Sequence, residues 1–546
     1  METMIGSSSG ARTGRPVLLA ALGAGAALVG VELMVTAVAL PGIVVDLADW
    51  TQLRHASWIV NGYLLAYICA MPLGGRLGDR FGIAAPFGLS LILFAAGSAL
   101  AGAAQDLDQL IAARVVQGLG GGGVVPLATA GASELFAGAA RARALGLVGA
   151  LTFLGMAAGP FIGAAVLESF DLSNALAAGG LGAGGASDLL VPPWRWTFYV
   201  SAPFALLAAL VAWAAAPGWE RPRRRAAFDL TGAFLVTLAL AALLLALTAV
   251  GADPDEALPD PLPPAIVAAT ATVLAFVRLR TAREPFLDAS LLRRLPIAGA
   301  VILSLLTGYA LATAIIGGAV FVDRVRYGGP AEQRLALGGL AAATALGALA
   351  SGFVLRRFGA VQVTLLGLAI GGCGLLGLSL VATGGSADLP ALALALFGLG
   401  FGLTVTARST VAVEAAGRRA FGAASAAVTV ARMVGMAVGL AVLTAFGSDR
   451  IEALSLVLTD QAARDAVLPA ELRGRPLQDG LVIDVLERWA AGQAASILAG
   501  LFLVAAGIMA LAVLPALAMA RQEGAGSADA QEVSGDDDDV GPAVAL

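Results

Sequence analysis

Four charged residues stand inside long apolar runs: Glu32, Arg114, Arg408 and Arg432. Glu32 lies within Val31-Glu-Leu-Met-Val-Thr-Ala-Val-Ala-Leu-Pro41. An acidic residue at the centre of a hydrocarbon layer costs about 2.5–3.5 kcal/mol on insertion scales, so its presence needs a reason. Burial favours the protonated form of a carboxylate and a nearby arginine favours the ionised form. A glutamate held between these influences can take up and release a proton as its surroundings change. The other reading is a permanent ion pair with an intramembrane arginine. Arg114 reads as a brace for its helix or as a cavity residue. Arg408 lies close enough to a helix end to snorkel toward water.

Other chemistry is poorly supplied. His55 is the only histidine, beside Trp58 at an expected membrane boundary, where an interfacial role is expected. One histidine supports neither a metal set nor a Ser/His/Asp arrangement. Cys69 and Cys373 both fall in apolar segments and form no disulfide framework. No phosphate loop occurs. A membrane-embedded enzyme is therefore disfavoured, and no metal or cofactor is expected. The chain contains no lysine, which a biased coding composition explains.

The elements that must hold these charges are membrane helices. Of 546 residues, 59% are hydrophobic and 13% charged, against about 45–50% and about 25% in soluble domains. Apolar runs of a length that spans about 30 Å as helix recur throughout, without the alternation of barrel strands. Expected spans are 17–41, 57–75, 85–104, 109–132, 144–167, 195–216, 229–250, 264–280, 297–321, 335–355, 360–382, 389–412, 422–447 and 491–519, numbered helices 1 to 14. The first is expected to be a retained helix rather than a cleaved leader.

Arginines concentrate on one side, at Arg76 and Arg80, Arg141 and Arg143, Arg221 to Arg225, Arg278 to Arg294, Arg356 and Arg357, and Arg418 and Arg419. The positive-inside rule then places both termini in the cytoplasm of a multi-pass cell-membrane protein. The expected organisation is a tail over 1–16, a six-helix half over 17–216, a linker with helices 7 and 8 over 217–296, a second six-helix half over 297–520, and an acidic disordered tail over 521–546. Residues 168–193 read as a Gly/Ala-rich loop. Residues 448–490 read as an extracytoplasmic helical extension of helices 13 and 14, or as a long loop with two short helices.

A repeat marks the two halves. Gly75-Arg-Leu-Gly-Asp-Arg-Phe-Gly82 follows helix 2, and Gly352-Phe-Val-Leu-Arg-Arg-Phe-Gly359 follows helix 10, as pseudo-symmetric transporters show. Gly75, Gly78 and Gly82 allow tight backbone approach, and Asp79 can pair with arginine or cap a helix. Helix 4 carries Arg114-Val-Val-Gln-Gly118-Leu-Gly120, and helix 5 carries Gly155-Met-Ala-Ala-Gly159-Pro160-Phe-Ile-Gly163. Glycines four apart permit close helix packing, and Pro160 can bend the helix.

These motifs together resemble the major facilitator superfamily: its loop between helices 2 and 3 (Gly75, Asp79, Arg80, Gly82), its helix-4 arginine and its helix-5 antiporter motif (Gly155, Gly159, Pro160, Gly163). The start of helix 6, Trp194-Arg-Trp-Thr-Phe-Tyr-Val-Ser-Ala-Pro203, is similar to the fourteen-helix drug:proton antiporter branch. The usual basic pair after Gly82 is replaced by Ile83 and Ala84. Gln52–Val60, Tyr63–Tyr67, Ala70–Leu73 and Ala424–Gly439 are similar to mycobacterial exporters of triacylglycerides that work with a periplasmic lipoprotein. In those exporters helix 5 carries an acid where this chain has Phe153, so no second coupling carboxylate is carried over. The resemblance implies an all-α facilitator fold of two six-helix halves plus two linker helices, with the loop after helix 2 gating the cytoplasmic side and helix 5 forming a close, rocking contact between halves. It implies proton-coupled export of lipophilic compounds or lipids, with Glu32 and Arg432 as the proton-coupling pair. A non-transporting sensor or scaffold and an uptake symporter are the alternatives.

Overall fold

The computed structural model describes residues 6–47, 56, 58–170, 190–215, 229–249, 260–282, 286, 289–326, 330–381, 389–417, 420–476 and 479–522. Among these residues there is no strand. Helix 1 spans Gly6–Leu47, helix 2 Trp58–Phe81, helix 3 Ala84–Ala103, helix 4 Leu107–Leu135, helix 5 Gly138–Ser169 and helix 6 Pro193–Ala215. Helices 7 and 8 are Leu230–Ala249 and Leu262–Thr281. Helix 9 is Leu295–Ala312, prolonged by π turns through Val325. A single run, Pro330–Val381, is broken at Gly359 (φ 71°, ψ 164°) and forms helices 10 and 11. Helix 12 is Leu389–Ala416, helix 13 Phe421–Thr459 and helix 14 Gly480–Leu511, continued by Val513–Ala518.

Thirteen stretches are long and apolar enough to cross a membrane, one of them the 49-residue stretch Glu332–Leu380. The left-handed break at Gly359 divides that stretch, which brings the described crossing segments to fourteen. Leu230, Trp213 and Leu380 are more than two-thirds exposed, and an outer surface with so many large apolar side chains suits lipid rather than water. Termini are set by short-range signals: Asp106 caps helix 4 by accepting from the Gln109 N–H at 2.8 Å, and Asp479 caps helix 14 through the Leu481 N–H.

Two apolar cores hold the bundle. Leu22, Phe87, Phe94 and Leu127 centre one in the first half, and Leu303, Phe397, Phe401 and Phe502 centre the other. Each borrows from the opposite half: Val413 and Phe421 pack into the first, Ala150 and Phe153 into the second. Asp229 fastens the linker pair. It caps helix 7 through the Gly232 N–H at 3.0 Å and accepts from Arg278 Nε of helix 8 at 3.0 Å and from the Phe286 N–H at 3.2 Å. Burial pushes its carboxyl up, but these donors outweigh that and hold it below the usual aspartate range.

Helix 13 has 39 residues, about 58 Å at 1.5 Å per residue, against a hydrocarbon layer of about 30 Å. Beyond it, the helix Gln461–Val467 and the start of helix 14 close over Val457, Leu468, Val482 and Leu486. Three bounds differ from those read in the sequence, one of them the end of helix 13, at Thr459 rather than 447. Helix 1 is already helical at Gly6, within the segment expected as a tail, and helix 14 begins at Gly480 rather than 491. The Gly/Ala-rich segment after Phe170, His55 and the acidic tail after Gln522 lie outside the described residues.

Candidate functional site

Glu32 and Arg114 form a closed ion pair in the first half. Arg114 Nη1 lies 2.6 Å from Glu32 Oε1, with the two side chains 1% and 0% exposed. Arg114 is seated from several sides. Its Nε donates to the Ile59 carbonyl at 3.1 Å, its Nη1 also reaches Gln117 Oε1, and its guanidinium lies 4.1 Å from the Tyr63 ring and 5.6 Å from that of Phe198. Gln117 passes a hydrogen bond to Ser98 Oγ at 2.6 Å, and Ser201 Oγ lies 3.1 Å from Ser98 Oγ. The network thus joins helices 1, 2, 3, 4 and 6. Thr36 Oγ1 donates to Glu32 Oε1 at 3.2 Å, so both bonds to the glutamate fall on one oxygen. The other, Oε2, is buried without a hydrogen-bond partner.

The halves close on each other at the arginine-rich end. Asp79 accepts from the Gly422 N–H at 2.7 Å and the Ala423 N–H at 2.8 Å. It therefore caps helix 13 from the opposite half, where the unpaired N–H groups of a helix start carry positive charge. Here the backbones touch: a Cβ on Gly75 would collide with the Gly422 carbonyl oxygen, and one on Gly422 with that of Gly75. The second copy of the turn does the corresponding thing, with Gly352 against Ala142 and Arg143 of helix 5. Gly82 and Gly359 end the two copies, both with positive φ (84° and 71°), a backbone that glycine adopts without a steric cost. Arg141 of helix 5 adds a 3.7 Å contact with Glu414 of helix 12 and lies 5.1 Å from the Phe421 ring.

The second half holds two more buried arginines. Arg408, 1% exposed, donates through Nη1 to Thr307 Oγ1 and lies 5.3 Å from the Phe401 ring. Arg432, 9% exposed, lies 5.8 Å from the Phe153 ring.

The described residues thus form a fourteen-span bundle with paired, glycine-packed turns and a charged core. The model of the major facilitator superfamily matches residues 22–440. The chain belongs to the major facilitator superfamily. A triacylglyceride transporter of Mycolicibacterium hassiacum is 33% identical over 478 residues, covering 85% of this chain and 84% of that protein. One from Mycobacterium tuberculosis is 32% identical over 411 residues, covering 72% and 75%. Among solved structures, a bacterial homologue of the human lysosomal transporter Spinster in an inward-facing, occupied conformation aligns with a TM-score of 0.55 at 18% identity, covering 91% of this chain and 96% of that one. That likeness concerns the fold. The facilitator is a multi-pass membrane transporter and not an enzyme, as the sequence reading expected.

Three expectations about the facilitator's site residues change on the structure. Glu32 takes Arg114 as its counter-charge, not Arg432. Helices 1 and 4 share a half and pack directly, whereas Arg432 sits on helix 13 across the interface. Arg408 does not snorkel: its guanidinium turns inward to Thr307 and Phe401. The helix-5 glycines do not form the contact between halves. Gly155 meets Ala27, Gly159 meets Val31 and Met34, and Gly163 meets Val35, all on helix 1. They seat Glu32's helix, and the contact between halves falls on another face of helix 5, at Gly146 and Phe153. Pro160 lies inside the unbroken helix. Arg80 stacks on Phe81 at 5.0 Å, beside Asp79. The sequence reading missed Gln117, Ser98 and Tyr63. Gln117 was within reach of it, being three residues after Arg114 and so on the same helical face.

Proposed function

We propose that the protein is a proton-coupled exporter of lipophilic compounds, lipids among them, working by alternating access. The observation that carries this is the buried Glu32, tied to Arg114 through one oxygen while Oε2 has no partner. A proton arriving at Oε2 removes the negative charge, and the attraction to Arg114 falls to that of a neutral hydrogen bond. Helices 1, 2, 4 and 6 meet at that pair, so its loosening frees the element against which helix 5 packs. Tyr63, on which the Arg114 guanidinium sits at 4.1 Å, stacks on Tyr67 at 5.7 Å, and their helix touches helix 13 where Gly75 meets Gly422, so the change of charge is felt at helix 13 as well. The bundle is shut at the arginine-rich end, which the positive-inside rule assigns to the cytoplasm together with both termini. Protonation from outside then biases opening toward the cytoplasm, and the membrane potential adds about 2.3 kcal/mol per charge per 100 mV.

Lipid cargo is favoured by the relatives named as triacylglyceride transporters and by the apolar residues around the charges. The helical extension after residue 448 offers cargo, or a periplasmic lipoprotein, a surface outside the bilayer. The test is cargo-dependent proton exchange in proteoliposomes. Native protein exchanges protons when a lipophilic cargo is supplied, and Glu32→Gln abolishes this. Exchange retained in that variant defeats the coupling role. Absence of flux for every lipophile in native protein favours a non-transporting scaffold.

A further inference from the structure

We infer that Arg408 and Arg432 together form a binding site for an oxyanion headgroup, so that the cargo of this facilitator is an acidic amphiphile rather than a fully neutral lipid. The inference rests on the transport reading above and names the polar end of what is transported.

The two halves treat their buried arginines differently. In the first half each has an acid: Arg114 has Glu32 at 2.6 Å, and Arg195 has Asp46 at 3.6 Å. In the second half neither Arg408 nor Arg432 has a carboxylate partner among the described residues. A guanidinium carries five N–H donors. Among the described residues, the pair meets one hydrogen-bond acceptor, Thr307 Oγ1. Both Nε atoms are buried without a partner. An unpaired charge out of water is unfavourable.

The architecture nevertheless brings them together. The helix 9 backbone touches that of helix 13 where Gly308 meets Arg432, and the preceding residue, Thr307, receives Arg408. The floor is aromatic. Phe153 and Phe401 meet edge-on at 5.8 Å, and each carries one guanidinium. Arg408 lies eight residues from the end of helix 12 and Arg432 eleven from the start of helix 13, about 12 and 16 Å from the arginine-rich end at 1.5 Å per residue. The pair is therefore deep in the layer and flanks the seam where helix 5 of one half meets helix 12 of the other.

Planar guanidinium forks match carboxylate and phosphate oxygens in a bidentate fashion. A bound oxyanion supplies the missing acceptors and offsets both charges, and the aromatic pair accommodates the first methylenes of an acyl chain. A fatty acid carboxylate and a phosphorylated glycerolipid share this chemistry.

The test uses the full-length protein, purified in non-ionic detergent, and competition against radiolabelled oleate. Oleate or oleoyl lysophosphatidate is expected to bind at least ten-fold more tightly than oleyl alcohol or triolein. The double variant R408Q/R432Q is expected to bring acid and alcohol to parity. Tighter binding of oleate assigns a carboxylate and tighter binding of lysophosphatidate a phosphate; either supports the inference. Equal affinity of native protein for oleate and oleyl alcohol overturns it, and that comparison needs no variant to fold. Full displacement of oleate by millimolar sodium phosphate, showing a site for a counter-ion only, also overturns it. Neutral-lipid flux that persists alongside equal affinities sinks the headgroup and leaves transport standing, whereas loss of all lipophile flux sinks transport itself.

Discussion

Replacing Asp79 by alanine removes the cap that one half places on a helix of the other. The carboxylate accepts at 2.7 and 2.8 Å from the first turn of helix 13. Losing an N-cap side chain costs about 0.5–2 kcal/mol, and the favourable charge at a helix start adds about 0.3–1 kcal/mol. A combined loss of about 2 kcal/mol shifts the equilibrium between closed and open forms by roughly 30-fold, at 1.4 kcal/mol per decade. Ser425 reports on this. It is buried, its hydroxyl has no partner, and it lies one turn along the face of helix 13 that carries Gly422 and Ala426 against Gly75. Ser425→Cys is nearly isosteric, and the same variant with Asp79 intact, in a chain whose Cys69 and Cys373 are replaced by alanine, serves as the reference. In the Asp79→Ala background, maleimide labelling of the cysteine at 425 rises about 30-fold relative to that reference, taking the same equilibrium. Asp79→Asn, which keeps one acceptor oxygen, falls between. Equal labelling rates with and without Asp79 refute the cross-half cap as the latch.

The buried ion pair supports a second prediction. Arg114→Gln leaves Glu32 without its counter-charge and destabilises the fold by about 3–5 kcal/mol, as breaking a buried pair does; adding Glu32→Gln recovers a large part, which thermal melts of the single and double variants measure. The linker pair supports a pH prediction. The carboxyl of Asp229 is held below its usual range in the folded protein, so its contribution is complete above the unfolded aspartate value of about 3.9 and is lost as pH falls through the lower folded value. Hydrogen exchange at the start of helix 7 is therefore protected from neutral pH down to about 4 and released below that, while Asp229→Asn shows the weaker protection at every pH.

Much of the architecture was legible in the sequence because hydrocarbon imposes a local rule. A span needs a continuous apolar run, and such runs are visible in the sequence alone. The repeated turns ending at Gly82 and Gly359 were legible for a similar reason: a left-handed backbone position selects glycine whatever surrounds it. Asp79 was legible as a residue able to cap, although which helix it caps was not. The Gly155, Gly159 and Gly163 ridge announced a close helix contact, and the same spacing serves a contact within a half as well as one between halves. Here it faces helix 1.

Sequence alone therefore determined the membrane class, the span count, the two-half organisation and which four charges stand in apolar surroundings. Tertiary structure alone decided how those charges are matched: Glu32 with Arg114, Arg408 over the ring of Phe401 and Arg432 over that of Phe153. The physical reason is range. Helix formation and membrane crossing depend on neighbours a few residues away, whereas a Coulomb partner is set by distance in space, and residues 32 and 114 meet only once helices 1 and 4 have packed.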